Sequence, residues 1–389
     1  MDNFIYEYQT KVLFGKGIAK ERLADALKPY GDKIMLAYGG GSIKQNGIYD
    51  EIVGILKEYG KEVIDFSGIM SNPTYTKVQQ GAKVARENNV DFILAVGGGS
   101  VIDCCKIISV QAKTSDDIWD MEFTQGKFPT ESIPMGAVVT ASGTGAEMNA
   151  GAVITNEELK IKTGVFGATP RFAVLDPEYT MTVPQKQVLS GAFDTLSHAM
   201  ETYFGQSDEN NVSDDIAEAV MKNTVCNMKT LVSDINNYTA RSNLMWDSAM
   251  AENGILKLGR KTAFQAHQIE HQLGAYTDCN HGQGLAVIHP VMYRHLCDKA
   301  PEKFARFARN VWNISADGKS ETEIALLGID ALEGFIKVCG LPTHLTELYS
   351  KIELTDDVLK EIADSTNIIT TGYSSLTHDE IYDILKECM

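Results

Sequence analysis

Apolar residues in the first half of the chain arrive in short unbroken runs. Residues 33–38, 62–66, 91–96 and 134–140 each read this way, and glycine clusters end the first, third and fourth. Continuous rather than alternating runs predict parallel strands covered on both faces. Between them the spacing turns helical: Ile52, Val53, Ile55 and Leu56 fall within a helix predicted over 49–59, and another is predicted over 75–88. After Pro184 strand-like runs disappear, and apolar residues at intervals of three and four predict helices over 214–232, 243–258 and 379–388. The expected architecture is an α/β domain with a mostly parallel sheet, residues 1–185, joined directly to an all-helical domain, residues 186–389. No low-complexity linker or repeat intervenes. The crevice between two such domains is the expected place for a ligand.

The glycine clusters are Gly39-Gly40-Gly41-Ser42, Gly97-Gly98-Gly99-Ser100 and Ser142-Gly143-Thr144-Gly145. Turns at the carboxyl ends of parallel strands, each leading into a helix, let the backbone approach an anion and offer it unpaired N–H groups. Neither triple-glycine turn matches the common dinucleotide fingerprint, because Ile102 stands where its last glycine would fall. Neither is followed by the Gly-Lys-Ser/Thr of a P-loop. Three such turns in one sheet suggest a long ligand with several phosphates. Asp103, on the first turn of the following helix, is expected either to cap that helix or to orient the cofactor.

Charge narrows the choice of partner. The 389 residues carry 35 Lys+Arg against 52 Asp+Glu, a formal charge of −17. That acidity argues against nucleic acid or an anionic membrane as partner. No stretch approaches 18 uninterrupted apolar residues, and Asp2 stands where a secretory signal would carry a basic residue. Seven cysteines, odd in number and without a C-x-x-C pair, fit a reducing, cytoplasmic setting. Cys104 and Cys105 adjoin an expected helix start. Small-residue packing is their expected role, with a lowered thiol pKa as the alternative.

The sharpest chemistry lies in the histidines, five of which fall between 267 and 295. Asp194 and His198 are four apart, as are His267 and His271, so on a helix each pair shares a face and can grip one ion. Gly274 suits the end of the second helix, and His281 stands at an expected turn into another. Nitrogen and oxygen donors without thiolate suit Fe(II) or Zn(II), either of which acts as a Lewis acid on an alcohol or carbonyl oxygen. A rival reading is the inverted zinc-protease pattern, H-x-x-E-H, which His267-Gln268-Ile269-Glu270-His271 matches literally.

Taken together, the motifs resemble the iron-containing (group III) alcohol dehydrogenases, in the branch of butanol dehydrogenases and broad-range aldehyde reductases. The resemblance runs nearly end to end, through residues 10–17, 38–44, 97–103, 141–147, 191–198 and 267–282. It implies an N-terminal dinucleotide-binding domain and a C-terminal domain that holds one divalent metal on Asp194, His198, His267 and His281. It places His271 by the nicotinamide and substrate, so that His267 and His271 are the expected catalytic histidines. Cofactor contacts are implied for Gly39, Gly40, Gly41, Ser42, Asn72, Gly98, Gly99, Ser100, Asp103, Thr140, Ser142 and Thr144, with Lys160 and Lys162 as basic partners. NAD-preferring relatives carry an Asp near Gly39. Its absence here, with Lys44 close by, favours NADP(H) over NAD(H). The implied reaction interconverts small primary alcohols and aldehydes. A polyol dehydrogenase of glycerol-dehydrogenase type is the nearest alternative. Asn149 and Val153 are expected to line the pocket, and the alternating segment 4–14 to pair across the subunits of a homodimer.

Overall fold

A computed structural model of the chain describes residues 2–206 and 211–389. The chain folds into two compact units: Glu7–Val183, and Pro184–Met389 together with residues 2–6. The start of the chain thus belongs with the helical unit, where the Asp2 N–H donates to the Gly259 carbonyl at 3.2 Å. Among the described residues no helix is long and apolar enough to cross a membrane.

The α/β unit runs β1 (Lys11–Phe14), α1 (Ile18–Leu27), β2 (Lys33–Tyr38), α2 (Ser42–Gln45), α3 (Ile48–Glu58), β3 (Glu62–Phe66), α4 (Tyr75–Glu87), β4 (Phe92–Gly97), α5 (Gly99–Gln111), α6 (Ile118–Phe123), β5 (Met135–Val139), β6 (Gly151–Asn156), β7 (Ile161–Phe166) and β8 (Phe172–Leu175). Six strands form one sheet in the order β1-β8-β5-β4-β2-β3. Every pairing in it is parallel. Four strands of this architecture escape the apolar-run pattern. β1 and β8 are only four residues long, and β6–β7 is a separate antiparallel hairpin. Of the segment 4–14, Lys11–Phe14 pairs with β8 inside this same chain, and residues 2–10 form no strand.

The order has one consequence for chemistry. β2, β4 and β5 are neighbours, with Tyr38 opposite Val96 and Gly97 opposite Val139, so the three glycine turns sit side by side at one edge. The chain leaves β2 for β3 on one side and returns to place β4 on the other. That reversal is the switch point where open parallel sheets bind ligands. α5, buried along all but Ser100, crosses behind β4 and carries the hairpin on its outer side. Cys104 and Cys105 lie inside it, fully buried. Burial pushes the Cys104 thiol up to about 12 and raises that of Cys105, so both pack as small apolar residues.

The helical unit comprises α7 (Gln185–Tyr203), α8 (Val212–Ser233), α9 (Tyr238–Glu252), α10 (Gln265–Thr277), α11 (His281–Leu296), α12 (Pro301–Trp312), α13 (Glu321–Val338), α14 (Asp356–Ser365) and α15 (His378–Glu387). Capping boxes start α8 at Asn211/Asp214, α13 at Ser320/Glu323 and α15 at Thr377/Glu380. Gly274 does not end α10. The helix continues to Thr277, and Asp278 takes the left-handed conformation at φ 60°. α7, α10 and α11 pack together at the centre of the unit.

Candidate functional site

Within the helical unit, α7 contributes Asp194 and His198, α10 contributes His267 and His271, and α11 begins at His281. The side chain of Asn280 caps α11 by accepting the Gln283 N–H, and it also accepts the Ser190 hydroxyl of α7. A Cβ on Gly282 would lie 2.1 Å from the Ser190 carbonyl oxygen, so only glycine lets α11 start this close to α7. The result is a tight cluster. Asp194 Oδ1 lies 3.5 Å from His281 Nε2, 3.6 Å from His267 Nε2 and 3.8 Å from His198 Nδ1. The His198 and His267 rings stack at 4.6 Å.

Asp194 Oδ1, His198 Nδ1 and His267 Nε2 are buried without a hydrogen-bond partner. Buried polar atoms are nearly always paired; donor atoms of Asp194, His267 and His281 all lie within 4.8 Å of one another, close enough for a single cation to satisfy, and His198 Nδ1 adjoins the same Asp194 oxygen. Charge agrees with this. Burial works against an ionised Asp194, yet His198, His281 and His267 together hold its carboxyl well below the usual carboxylate range. Burial also lowers His198 against the opposing pull of Asp194. His267, though buried, is pushed up to about 10 by the adjacent Asp194 carboxylate and by its hydrogen bond to Glu201. His271 lies one turn beyond His267, with its ring 5.6 Å from that of His281.

Two carboxylates behind the cluster escaped the sequence reading as ligand supports. Glu201 accepts from His267 Nδ1, from the Ala266 N–H at 2.7 Å and from the His267 N–H at 3.1 Å. Its place at i+7 from Asp194 and i+3 from His198 was the available signal. Glu270 accepts from His281 Nδ1.

In the α/β unit the glycine turns pack on one another. A Cβ on Gly99 would lie 2.2 Å from Thr144 Oγ1, and one on Gly98 would lie 3.3 Å from the Ala141 Cβ, so the second and third turns are in contact. Gly41, at φ 105°, precedes α2 in the left-handed region. Gly98 is the N-cap of α5 and has no side chain with which to cap it, the kind of helix end that can receive an anion. The Thr140 N–H donates to the Gly97 carbonyl, and the Ser100 hydroxyl donates to the carbonyl of Ser71, next to Asn72. Gly40, Ser42 and Ser142 complete the row and are not fully buried.

Other expected contacts sit differently. Asp103 does not cap α5. Its carboxylate accepts the Val153 N–H of β6 at 2.9 Å and faces Lys106 Nζ at 3.5 Å. Fully buried Lys106, which the sequence did not flag, donates to Asn149 Oδ1 and to the Gly151 carbonyl. Asn149 and Val153 therefore fasten the hairpin to α5. Lys160 and Lys162 part company: the first is exposed at the hairpin tip with φ 56°, and the second is buried on β7 opposite Thr155. Lys44 Nζ lies over the rings of Tyr49 and Tyr38, at 4.4 and 5.1 Å.

Known proteins resemble the chain along its whole length. Residues 9–177 match the family model described as iron-containing alcohol dehydrogenase, and residues 188–389 match the C-terminal model of the Fe-containing alcohol dehydrogenase family. The chain is 41% identical over 390 residues, covering 100% of both chains, to NADH-dependent butanol dehydrogenase A of Clostridium acetobutylicum. It is 36% identical over 351 residues, 89% of each, to the NADPH-dependent aldehyde reductase YqhD of Escherichia coli. The crystal structure of NADH-dependent butanol dehydrogenase A from Thermotoga maritima superposes with a TM-score of 0.93 at 34% identity, covering 100% of this chain and 99% of that one. The chain belongs to the iron-containing alcohol dehydrogenase family, in its butanol dehydrogenase and aldehyde reductase branch. It is accordingly an oxidoreductase that interconverts alcohols and aldehydes with NAD(P)(H) and a divalent metal. Neither the protease nor the polyol alternative is favoured, and the carboxylate a protease would turn on water is engaged by His281.

Proposed function

We propose that Asp194, His198, His267 and His281 hold one Fe(II) or Zn(II) ion, and that the enzyme reduces small primary aldehydes of butyraldehyde type in a reversible reaction. The observation that carries this reading is the convergence of donor atoms from Asp194, His267 and His281 within 4.8 Å of one another, with unpartnered His198 Nδ1 3.8 Å from the same Asp194 oxygen. A divalent ion held there would supply Lewis acidity to the substrate oxygen, and NAD(P)H would supply the hydride. His267, held by Glu201, keeps its Nε2 aimed at that point. His271, beside His281 but not one of the four, is the chain's proton donor to the product oxygen from its imidazole N–H. The buried surroundings exclude water and strengthen each of these interactions.

The nucleotide half of the reading rests on the row of glycine turns. Gly98, Gly99, Ser100, Thr140, Ser142 and Thr144 bind the pyrophosphate, and Asn72, Asp103, Lys160 and Lys162 act at its margins. Gly39, Gly40, Gly41 and Ser42 receive the adenosine ribose. A Cβ at Gly39 would lie 3.2 Å from the Ile69 carbonyl oxygen, which crowds any carboxylate there. With no carboxylate to repel a 2′-phosphate, the turn favours NADP(H). The named relatives include both NADH- and NADPH-dependent enzymes. A cytoplasmic homodimer completes the reading.

The test is a panel of aldehydes and alcohols with NADPH and NADH on protein reconstituted with Fe(II) or Zn(II), followed at the nicotinamide absorbance. Butyraldehyde with NADPH is expected to give the highest kcat/KM. Chelation, or His198→Ala, is expected to lower it by about 10³-fold while NADPH binding, followed by fluorescence, persists. No turnover of any aldehyde by the metal-loaded protein overturns the reading.

A further inference from the structure

Glu270 is the residue of the H-x-x-E-H stretch that the proposed chemistry leaves without a task. It is fully buried on α10, between His267 and His271. One carboxylate oxygen accepts from His281 Nδ1, and the other accepts the Cys279 thiol at 3.7 Å. A Cβ on Gly284 would lie 2.8 Å from Glu270 Cγ, so the second glycine of α11's first turn gives this carboxylate its room. The opposite nitrogen of the same ring, His281 Nε2, faces Asp194 Oδ1 at 3.5 Å.

We propose that Glu270 is a positioning residue for the metal, a carboxylate that fixes the tautomer and angle of His281 and does not activate water. The proposal rests on the four-ligand reading above. An imidazole that gives its Nδ1 proton to a carboxylate presents a lone pair at Nε2, and the neighbouring negative charge makes that lone pair a stronger donor. His281 is the member that needs this most. It is the first residue of its helix and is a quarter exposed, whereas the other three ligands lie farther into their helices and are buried. The same device recurs at His267, where Glu201 takes the Nδ1 proton and is itself held by two backbone N–H groups. Two of the three histidines are thus aimed from behind by buried carboxylates.

The experiment measures Zn(II) affinity of the metal-stripped full-length chain by competition with a chromophoric chelator. Wild type, Glu270→Gln and Glu270→Ala are compared, with urea unfolding of each metal-free protein as the check on folding. The Ala variant is expected to bind Zn(II) up to about 100-fold more weakly. The Gln variant, which keeps an acceptor and the shape but not the charge, is expected to bind about 10-fold more weakly. The absorption of bound Co(II) is expected to change in the Ala variant. A folded Gln or Ala variant within about threefold of wild type overturns the proposal. Unchanged affinity with lost turnover assigns Glu270 to water or proton chemistry instead. A wild-type chain that binds no Zn(II) overturns the four-ligand reading itself.

Discussion

His289 shows how far the helical unit goes to keep a titratable side chain neutral. It is fully buried on α11, with its Nε2 2.6 Å from Ser197 Oγ and with Phe193 and Tyr293 against its ring. Burial pushes the imidazole down to about 4, whereas in an unfolded chain it titrates near ~6.5. Between these values the unfolded chain takes up a proton that the native one refuses, so stability falls as pH drops from 6.5 towards 4. At pH 5 the loss is roughly 2 kcal/mol relative to pH 7. Urea unfolding of the metal-free protein at both pH values is expected to show it, and His289→Gln to remove most of it. A dependence unchanged in the variant assigns the effect to other groups. At this scale the Asp194–His198 and His267–His271 pairs were legible beforehand, because i,i+4 spacing is a geometric statement about a helix. The supports were less so: Glu201 read as a polar position and Glu270 as the glutamate of a protease pattern until the fold set them behind particular rings.

For elements, the decisive contact is that of α11 with α7. Gly282 lets the two helices meet at the Ser190 carbonyl, and His281 is the residue just before it. Gly282→Ala places a methyl group 2.1 Å from backbone oxygen, so the first turn of α11 must withdraw and take His281 with it. Expected outcomes are a stability loss of about 1–3 kcal/mol in urea unfolding and a clear drop in metal affinity. Retained affinity would show that α11 tolerates the shift. Elements legible in the sequence were those with an unbroken apolar run or a strong helical period, such as β2, β4 and α3. The β6–β7 hairpin escaped because its strands mix glycine, threonine, lysine and asparagine with apolar residues. Its attachment through Asp103, Lys106 and Asn149 is a polar one that hydropathy does not report.

For the whole molecule, the proposed sites give each unit one ligand, so the two ligands are expected to report on different parts of the chain. A ligand that binds only the native state stabilises it by RT ln(1 + [L]/Kd), about 4 kcal/mol at 1,000 times Kd. Metal is expected to protect residues 184–389 and NADPH residues 7–183 against native-state hydrogen exchange, read peptide by peptide. Metal protection centred on the glycine turns would contradict the assignment. The division into an α/β part and a helical part was readable from the disappearance of strand-like runs after Pro184. That residues 2–6 belong with the later unit was not, because so short a segment carries no periodicity to read.

That last arrangement, with β1 paired to β8, sets a timetable for synthesis. β1 leaves the ribosome early but finds its partner only once residues 172–175 emerge, about 10–30 s later at ordinary translation rates. Residues 2–6 wait longer still, since Gly259 is made after the entire sheet. Phe4, Ile5, Tyr6 and Tyr8 stay exposed even in the folded chain, so slowed elongation prolongs the interval in which a chaperone or another nascent chain can seize them together with the unpaired β1.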